Sequence, residues 1–415
     1  MLRKLPKTAL LSAYLAAMLF LDLWILAHAW GDITRGLPDF TIFYTAGKIL
    51  QMGRAPDLYD NSLQKEVQEA VTPVGFEKRG LLLPYNHPPF EAVLFPPLSH
   101  LSYLAAYLTW VGLNILLLVW LALKLRRVVL PIGRLPAYLW LLAALTFHPI
   151  FIALLQGQDS ILLLGCFTLA YLCLLRRADF RAGVWLGLGL FKFNLILPFA
   201  LPLLLVNRKK LAAGFLSVAL ALLLLSVVVF GWRILLIYPA YVWSAEHEKA
   251  YPWNRPSVHP PNLRGLSYAF TSDPLLGRSV LVLLSAVVLF AIILVWHTLP
   301  SRSGSLQRAF AIGILGAVLL SFHVFIHDLS VLLLALVAVV EYLSHRPIFE
   351  RWVKVSLYSC MAILFCSPLY LLLFFRFRRL EWMALILLVL FVVLVWDALR
   401  PQGEAREGSA VAVSF

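Results

Sequence analysis

Long apolar runs separated by short polar connectors dominate the chain. Most runs are roughly 18 to 22 residues long, the length at which a helix crosses about 30 Å of hydrocarbon. The short alternating segments of an outer-membrane barrel are not found. The pattern therefore predicts an all-α polytopic membrane protein with about ten spans. The predicted spans are 8–29, 101–124, 135–155, 160–175, 211–231, 279–298, 309–326, 329–344, 353–374 and 381–399.

Composition and charge agree with a membrane protein. Apolar residues make up 61% of the chain and charged residues 13%, whereas a soluble domain has nearer one half and one quarter. The net charge is +14, but the basic residues stand in small clusters between apolar runs, which indicates membrane orientation and not nucleic-acid binding. These clusters mark the expected cytoplasmic face: Lys124, Arg126, Arg127 and Arg134; Arg176, Arg177 and Arg181; Arg302 and Arg308; Arg346, Arg351 and Lys354. The basic start before the first run also occurs in signal peptides, but the run is long for one, so we expect an uncleaved span.

The apolar run 182–206 does not fit a single crossing. It is flanked by Arg181 and by the basic cluster 208–210, and it contains Lys192 and two prolines. We expect a re-entrant pair of half-helices that enters and leaves from the cytoplasmic side with Lys192 near its tip, as occurs where backbone lines a polar cavity. The alternative is a straight span, which would invert the topology of everything after it.

The re-entrant pair places both long loops, 30–100 and 232–278, on the non-cytoplasmic face. Long loops on a rigid scaffold are where sites are usually built. We expect residues 1–402 to form a single transmembrane domain and residues 403–415 to form a disordered cytoplasmic tail.

Asp39 stands out in the first loop. It follows the first span closely and begins an amphipathic stretch. One interpretation is a helix N-cap. The other is a catalytic base beside a substrate hydroxyl, with a pKa raised by the lipid edge.

Other polar residues cluster at the turns of the same face. Lys192 is an intramembrane cation, which normally has an anionic partner, and no carboxylate lies near it in sequence, so a lipid phosphate is a candidate partner. Arg264 suits bidentate phosphate binding, although a surface arginine is the ordinary interpretation. For the remaining candidates, structural turns compete with substrate binding. These are Tyr85, Asn86 and His87; Gln156 and Gln158; Asn262; and His323, His327 and Asp328.

The spacing of His323 and His327 places them on one helix face, with Asp328 beside them. Two nitrogens and one oxygen without another defined ligand make a weak metal site, and we expect neither a metal nor a cofactor. Binding to phosphate or sugar fits these side chains better.

The order of these motifs resembles the polytopic GT-C glycosyltransferases, most closely glycosyltransferase family 87. The resemblance covers most of the chain. The matching pieces are Asp39-Phe40 with Tyr44, Gly53 and Leu58-Tyr59; Tyr85 with Pro88-Pro89; Gly157-Gln158; Gly183 with Lys192; Asn262 with Ser267; and Ser321 with His327. His323 and Asp328 beside His327 need not be general to the family, which leaves the sugar and the acceptor open.

The resemblance implies a GT-C-type bundle with short interfacial helices in the first loop. It also implies transfer of a hexose, as in the family's mannosyltransferases, from a polyprenyl-phosphate donor to a lipid-linked or envelope acceptor at the cell membrane. Asp39 maps to the catalytic acidic residue, and Lys192 and His327 map near the donor phosphate, where Arg264 would join them. Tyr44 joins the substrate-binding candidates. Direct attack on the sugar would invert the anomeric centre.

Two other functions stay open at this point. A transporter or lipid flippase would also use a broken helix, but it would usually have a second one in the other half, and we expect no interrupted span between 279 and 399. A structural subunit of an envelope complex would tolerate alanine at Lys192 and His327.

Overall fold

The computed structural model describes residues 7–206, 208–247, 260–271, 273–298, 304–345 and 350–400. Throughout these ranges the regular structure is helical, which confirms the all-α prediction. The tail 403–415 and the middle of the second loop lie outside the described residues. The first twelve of the helices described here are α1 Lys7–Thr34, α2 Phe40–Gln51, α3 Asn61–Val71, α4 Pro73–Arg79, α5 Pro89–Ala92, α6 Pro96–Ser99, α7 Tyr103–Val128, α8 Leu130–Gly133, α9 Ala137–Leu145, α10 His148–Gln156, α11 Ser160–Leu175 and α12 Asp179–Leu188. The later helices are α13 Phe193–Leu205, α14 Lys209–Phe230, α15 Ile234–His247, α16 Leu263–Phe270, α17 Pro274–His297, α18 Ser305–Leu320, α19 Leu332–Ser344, α20 Arg351–Leu364, α21 Ser367–Leu371 and α22 Trp382–Leu399.

The long helices confirm a polytopic membrane protein. Among the described residues, seven helices are long and apolar enough to cross a membrane, or nine if each of two bent pairs is one span. This count rests on length and composition, and it is lower than the ten spans predicted. Many large apolar side chains on these helices are exposed, as lipid-facing positions require.

Two predicted spans are bent. Helices α9 and α10 meet at 61°, and α20 meets the segment Ser367–Phe377 at 65°. Pro149 and Pro368 stand in the first turn of the second helix of each pair, where proline lacks the N–H that would continue the preceding helix. The expectation of no interrupted span between 279 and 399 was therefore wrong.

The run 182–206 folds back on itself. A straight helix over residues 179–205 would separate its ends by about 39 Å at 1.5 Å per residue. Instead, Arg208 forms an ion pair with Asp179 at 3.6 Å, so both ends of the run lie on the same side. The reversal occurs after a 3-10 turn, Gly189–Lys192, where Lys192 adopts the non-helical angles φ −111° and ψ 61°. The run counts among the seven candidate spans by composition, but its geometry is that of a re-entrant hairpin with Lys192 at the tip, as predicted.

Small residues hold the hairpin against α14. A Cβ atom at Gly183 would lie 2.0 Å from the carbonyl oxygen of Leu211, and one at Gly214 would lie 2.0 Å from that of Phe180. Such close backbone approach between membrane helices requires small side chains. The contact fixes the first arm of the hairpin against α14.

The two long loops meet on one face, which we call the loop face. Tyr241 donates a hydrogen bond to Asn61 Oδ1 at 2.7 Å, and Tyr238 donates to the carbonyl oxygen of Asn86 at 3.4 Å. The first loop contains short helices α2 to α6, as the resemblance implied. At the opposite face, Arg308 is buried and paired with Asp397 at 2.8 Å, so this arginine stabilises the bundle and is not a free surface charge.

Candidate active site

A cavity opens at the loop face between the first loop, the hairpin tip and the segment before α19. It encloses about 130 Å³. Its charged residues come from three regions that are far apart in the sequence. The sequence alone therefore does not show that they line one cavity. The lining residues are Asp39, Ile42, Leu83, Pro84, Asn86, His87, Pro88, Gln158, Phe191, Lys192, Phe193, Asn194, Val242, Phe322, His323, Phe325, His327 and Asp328.

Asp39 stands before α2 but does not cap it. Its backbone is helical, with φ −60° and ψ −20°, and its side chain accepts no hydrogen bond from the first turn. Its Oδ2 instead accepts a bond of 2.8 Å from Gln158 Nε2, and its N–H donates to Gln156 Oε1 at 3.2 Å. The N-cap interpretation is therefore wrong for the carboxylate, which lies on the cavity wall.

A tight turn presents both glutamines to Asp39. Gly157 ends α10 with φ +61°, a left-handed conformation that favours glycine. A Cβ there would lie 2.8 Å from Cβ of Phe40. Trp110 Nε1 donates a hydrogen bond of 2.9 Å to the carbonyl oxygen of Gly157 and fixes the turn from the other side.

Lys192 at the hairpin tip is paired with two carboxylates. Its Nζ lies 2.6 Å from Asp328 Oδ1 and 2.9 Å from Asp159 Oδ1. Sequence reasoning found no acidic neighbour for this lysine, because both partners are distant along the chain. Asp159 directly follows Gln158, so its place in a turn already considered for substrate binding could have marked it as a site residue.

His87 joins Asp159 to a further buried acid. Its Nδ1 lies 2.8 Å from Glu91 Oε2 and 3.4 Å from Asp159 Oδ2. Burial lowers the pKa of His87, but Glu91 and Asp159 more than offset this and raise the pKa to about 10. Burial, together with Asp159, raises the pKa of Glu91 to about 8, although His87 opposes the shift. Sequence reasoning missed Glu91, and its signal was the spacing of four residues from His87.

The segment before α19 supplies the remaining polar wall. Asp328 accepts a hydrogen bond of 2.9 Å from the N–H of Phe325, and its Oδ2 lies 3.5 Å from Nε2 of His327. Asn194, two residues after the hairpin tip, donates to the carbonyl oxygen of His323 at 2.5 Å. The hairpin and this segment are therefore held together at Lys192 and at Asn194.

Several predicted site residues do not line this cavity. Tyr44 and Tyr85 are buried in the first loop, with their hydroxyl groups donating to Leu101 and Pro88 carbonyl oxygens. Asn262 caps α16 by accepting from the N–H of Gly265. Of the predicted substrate-binding and phosphate-binding residues, those on the cavity wall are Asn86, His87, Gln158, Lys192, His323, His327 and Asp328.

Arg264 and Gln156 lie beside the cavity. Arg264 donates a hydrogen bond of 2.8 Å to the carbonyl oxygen of Phe322, so it supports the segment that carries His323. Gln156 faces a second cavity of about 440 Å³ on the other side of Asp39. Each of the two residues therefore contacts a residue of the cavity wall, Phe322 or Asp39, without lining the cavity itself.

The second cavity is almost entirely apolar. It lies between α1, α10 and the bent segment after α20. Ile326, next to His327 in sequence, and Gln156, which bonds Asp39, bring it to the edge of the first cavity. Its lining residues are Trp24, Ile25, His28, Ala29, His148, Ile152, Leu155, Gln156, Ile326, Tyr370, Leu371, Phe374 and Phe375.

Comparison with known proteins gives one family. The model of glycosyltransferase family 87 matches residues 85–325, more than half of the chain. No curated protein and no solved structure gives a significant match. The matched region includes the hairpin with Lys192, and also His87 and His323, whereas Asp39 precedes it and His327 and Asp328 follow it. The chain therefore belongs to glycosyltransferase family 87 and is a multi-pass membrane glycosyltransferase.

Proposed function

We propose that this protein transfers a hexose from a polyprenyl-phosphate donor to a lipid-linked or envelope acceptor, with inversion, and that Asp39 is the general base. The sugar we propose is mannose. The observation that carries the proposal is the shared cavity: the Asp39 carboxylate and the Lys192 ammonium both lie on its wall. A base and a cation facing one space are the groups that an attacking hydroxyl and a leaving phosphate need.

The proposed reaction needs one base. The acceptor hydroxyl oxygen attacks the anomeric carbon and forms the new glycosidic bond, while its proton passes to Asp39. The bond from the anomeric carbon to the phosphate oxygen breaks, and its electron pair stays on the departing polyprenyl phosphate. Because a phosphate monoester is already a fair leaving group, no second carboxylic acid is required, unlike in glycosidases.

Lys192 is suited to stabilise the departing phosphate. An ammonium group has three N–H donors; one donates to Asp328 Oδ1 at 2.6 Å, and Asp159 Oδ1 is an ion-pair partner at 2.9 Å. These two carboxylates engage at most two donors, so one remains for a phosphate oxygen. His327 lies on the same wall, and Arg264 would contribute from behind Phe322.

The second cavity supports a lipid-linked substrate. Its apolar lining suits a hydrocarbon chain, and its position beside Gln156 and Ile326 would let such a chain end at Asp39 and His327. The chain has no glycine-rich phosphate loop of the nucleotide-binding kind. We propose that the reaction occurs on the non-cytoplasmic side of the cell membrane, because short basic connectors mark the opposite face.

Replacement of Asp39 by asparagine tests the base directly. We expect Asp39→Asn to lower sugar transfer by at least about 100-fold, the range that a general base contributes. The assay incubates purified protein with labelled polyprenyl-phosphate sugars and a membrane lipid extract, which also identifies the sugar. The matched control is Asp57→Asn, a half-exposed acid of the same loop that is paired with Arg54, which should leave transfer unchanged. Near-normal turnover in folded Asp39→Asn protein would refute the assignment.

A further inference from the structure

We infer that His87, Glu91 and Asp159 form a binding site for one divalent cation behind the candidate active site. The three side chains come from two distant segments, the proline-rich turn before α5 and the turn before α11. Each offers one ligand atom, and these atoms all lie within 4.8 Å of one another. Sequence reasoning considered a metal only at His323, His327 and Asp328.

The spacing of the ligand atoms fits coordination of one ion. His87 Nδ1 lies 2.8 Å from Glu91 Oε2 and 3.4 Å from Asp159 Oδ2. Neighbouring ligands of an octahedral ion with bonds of 2.0–2.1 Å are about 3 Å apart. A small shift of the three side chains is therefore enough to place an ion between them.

Glu91 gives an independent reason to expect a ligand. It is 2% exposed, and within the part of the chain that the structure describes no amide, hydroxyl or imidazole group donates to its Oε1; its carboxyl group faces that of Asp159, and the two need a shared proton or a cation between them. A buried carboxylate oxygen without a partner is costly. Glu91 Oε2 already contacts His87. An ion bound in the cluster would give the carboxylate a further partner.

The charge of the surrounding group points to the same ligand. Glu91, Asp159 and Asp328 are three buried carboxylates, and Lys192 is the ammonium that pairs with two of them. A divalent cation would displace the protons of His87 and Glu91, and with His87 neutral and Glu91 ionised the group has two negative charges in excess, which that cation neutralises. An excess of buried negative charge would repel a phosphate, so this step of the inference rests on the proposed function.

The donor set favours an oxygen-preferring ion such as Mn²⁺ or Mg²⁺. Two carboxylates and one imidazole are ligands that suit these ions, whereas structural zinc sites are usually rich in cysteine sulfur. His87 also lines the cavity, so an ion bound to it would have open positions toward the substrate. Ions of this class commonly bind substrate phosphate oxygens there.

Direct Mn²⁺ titration of chelator-treated, purified protein tests the site without relying on activity. The electron paramagnetic resonance signal of free Mn²⁺ gives the bound fraction, and we expect one site per chain. Glu91→Gln and Asp159→Asn should each weaken binding by at least about tenfold. Glu66→Gln, an exposed acid of the same loop, is the control and should bind Mn²⁺ like wild type.

Two results would overturn the inference: wild-type protein that binds no Mn²⁺, or unchanged binding in both site variants. The first would mean that protons on His87 and Glu91 hold the cluster together. If a variant does not fold, the wild-type stoichiometry and the other variant decide. Normal Mn²⁺ binding without any sugar transfer would count against the proposed function and leave the ion site standing.

Discussion

Gln158 donates a hydrogen bond of 2.8 Å to Oδ2 of Asp39 and so fixes the orientation of the proposed base. The bond links the turn before α11 to the first residues of α2. Because the acceptor is a carboxylate, the bond is stronger than one between neutral groups. The orientation of the proposed base therefore depends on a residue from a distant segment of the chain.

Loss of this bond should reduce turnover. We expect Gln158→Ala to lower kcat by roughly 10- to 100-fold, the equivalent of about 1.5–3 kcal/mol for a hydrogen bond to a charged group. Gln158→Glu should in addition raise the pH at which activity appears, because a second carboxylate beside Asp39 favours its protonated form. The pH dependence of kcat/KM checks both variants. An unchanged profile in Gln158→Glu would show that the two side chains do not interact during catalysis.

The Lys192 ion pairs should matter for stability as well as for activity. Lys192→Met leaves Asp159 and Asp328 without their cation, and we expect it to destabilise the protein by about 3–5 kcal/mol. The double variant Lys192→Met/Asp328→Asn should recover part of this loss but not the activity. Thermal unfolding in detergent measures the effect. Lys65→Ala, which removes an exposed pair with Glu69, is the control and should change little.

The cluster of His87 and Glu91 predicts that stability falls as pH rises. Both groups have raised pKa values in the folded protein, so the folded state binds protons that the unfolded chain has released. The contribution of Glu91 is complete below 4.5 and lost as pH rises through about 8, and that of His87 is complete below 6.5 and lost through about 10. In the presence of a chelator, this cluster should therefore lower the unfolding midpoint between pH 4.5 and 10. A Glu91→Gln variant with the wild-type slope would contradict this origin.

Filling the second cavity should discriminate between long and short donors. We expect Ile326→Trp to raise KM for a long polyprenyl-phosphate sugar by at least about tenfold and to leave KM for a short-chain analogue nearly unchanged. Leu113→Trp, on an exposed face of α7, is the matched control. Equal increases for both donors would mean that the substitution disturbs the active site and not the chain-binding cavity.

Sequence patterns predicted the helices and the hairpin, because these follow from local hydrophobicity and charge, and the role of Asp39 as a base stays a prediction. The charge clusters at both ends of 182–206 were enough to predict the reversal at Lys192. The partners of Lys192 were not predictable in the same way, since contacts between α11, the hairpin tip and Asp328 arise only from packing. The bends at Pro149 and Pro368 had a local signal in each proline, but the apolar composition around it favoured straight spans.

The reversal at Lys192 means that residues 179–208 add no net crossing to the chain. The orientation of every later helix is therefore independent of this segment, and its length can change without inverting α14 or any helix after it. Reporters fused after residue 178 and after residue 208 should accordingly give the same sidedness. Lys192, which is paired with two buried carboxylates, therefore stands on a segment that does not affect the topology of the other helices.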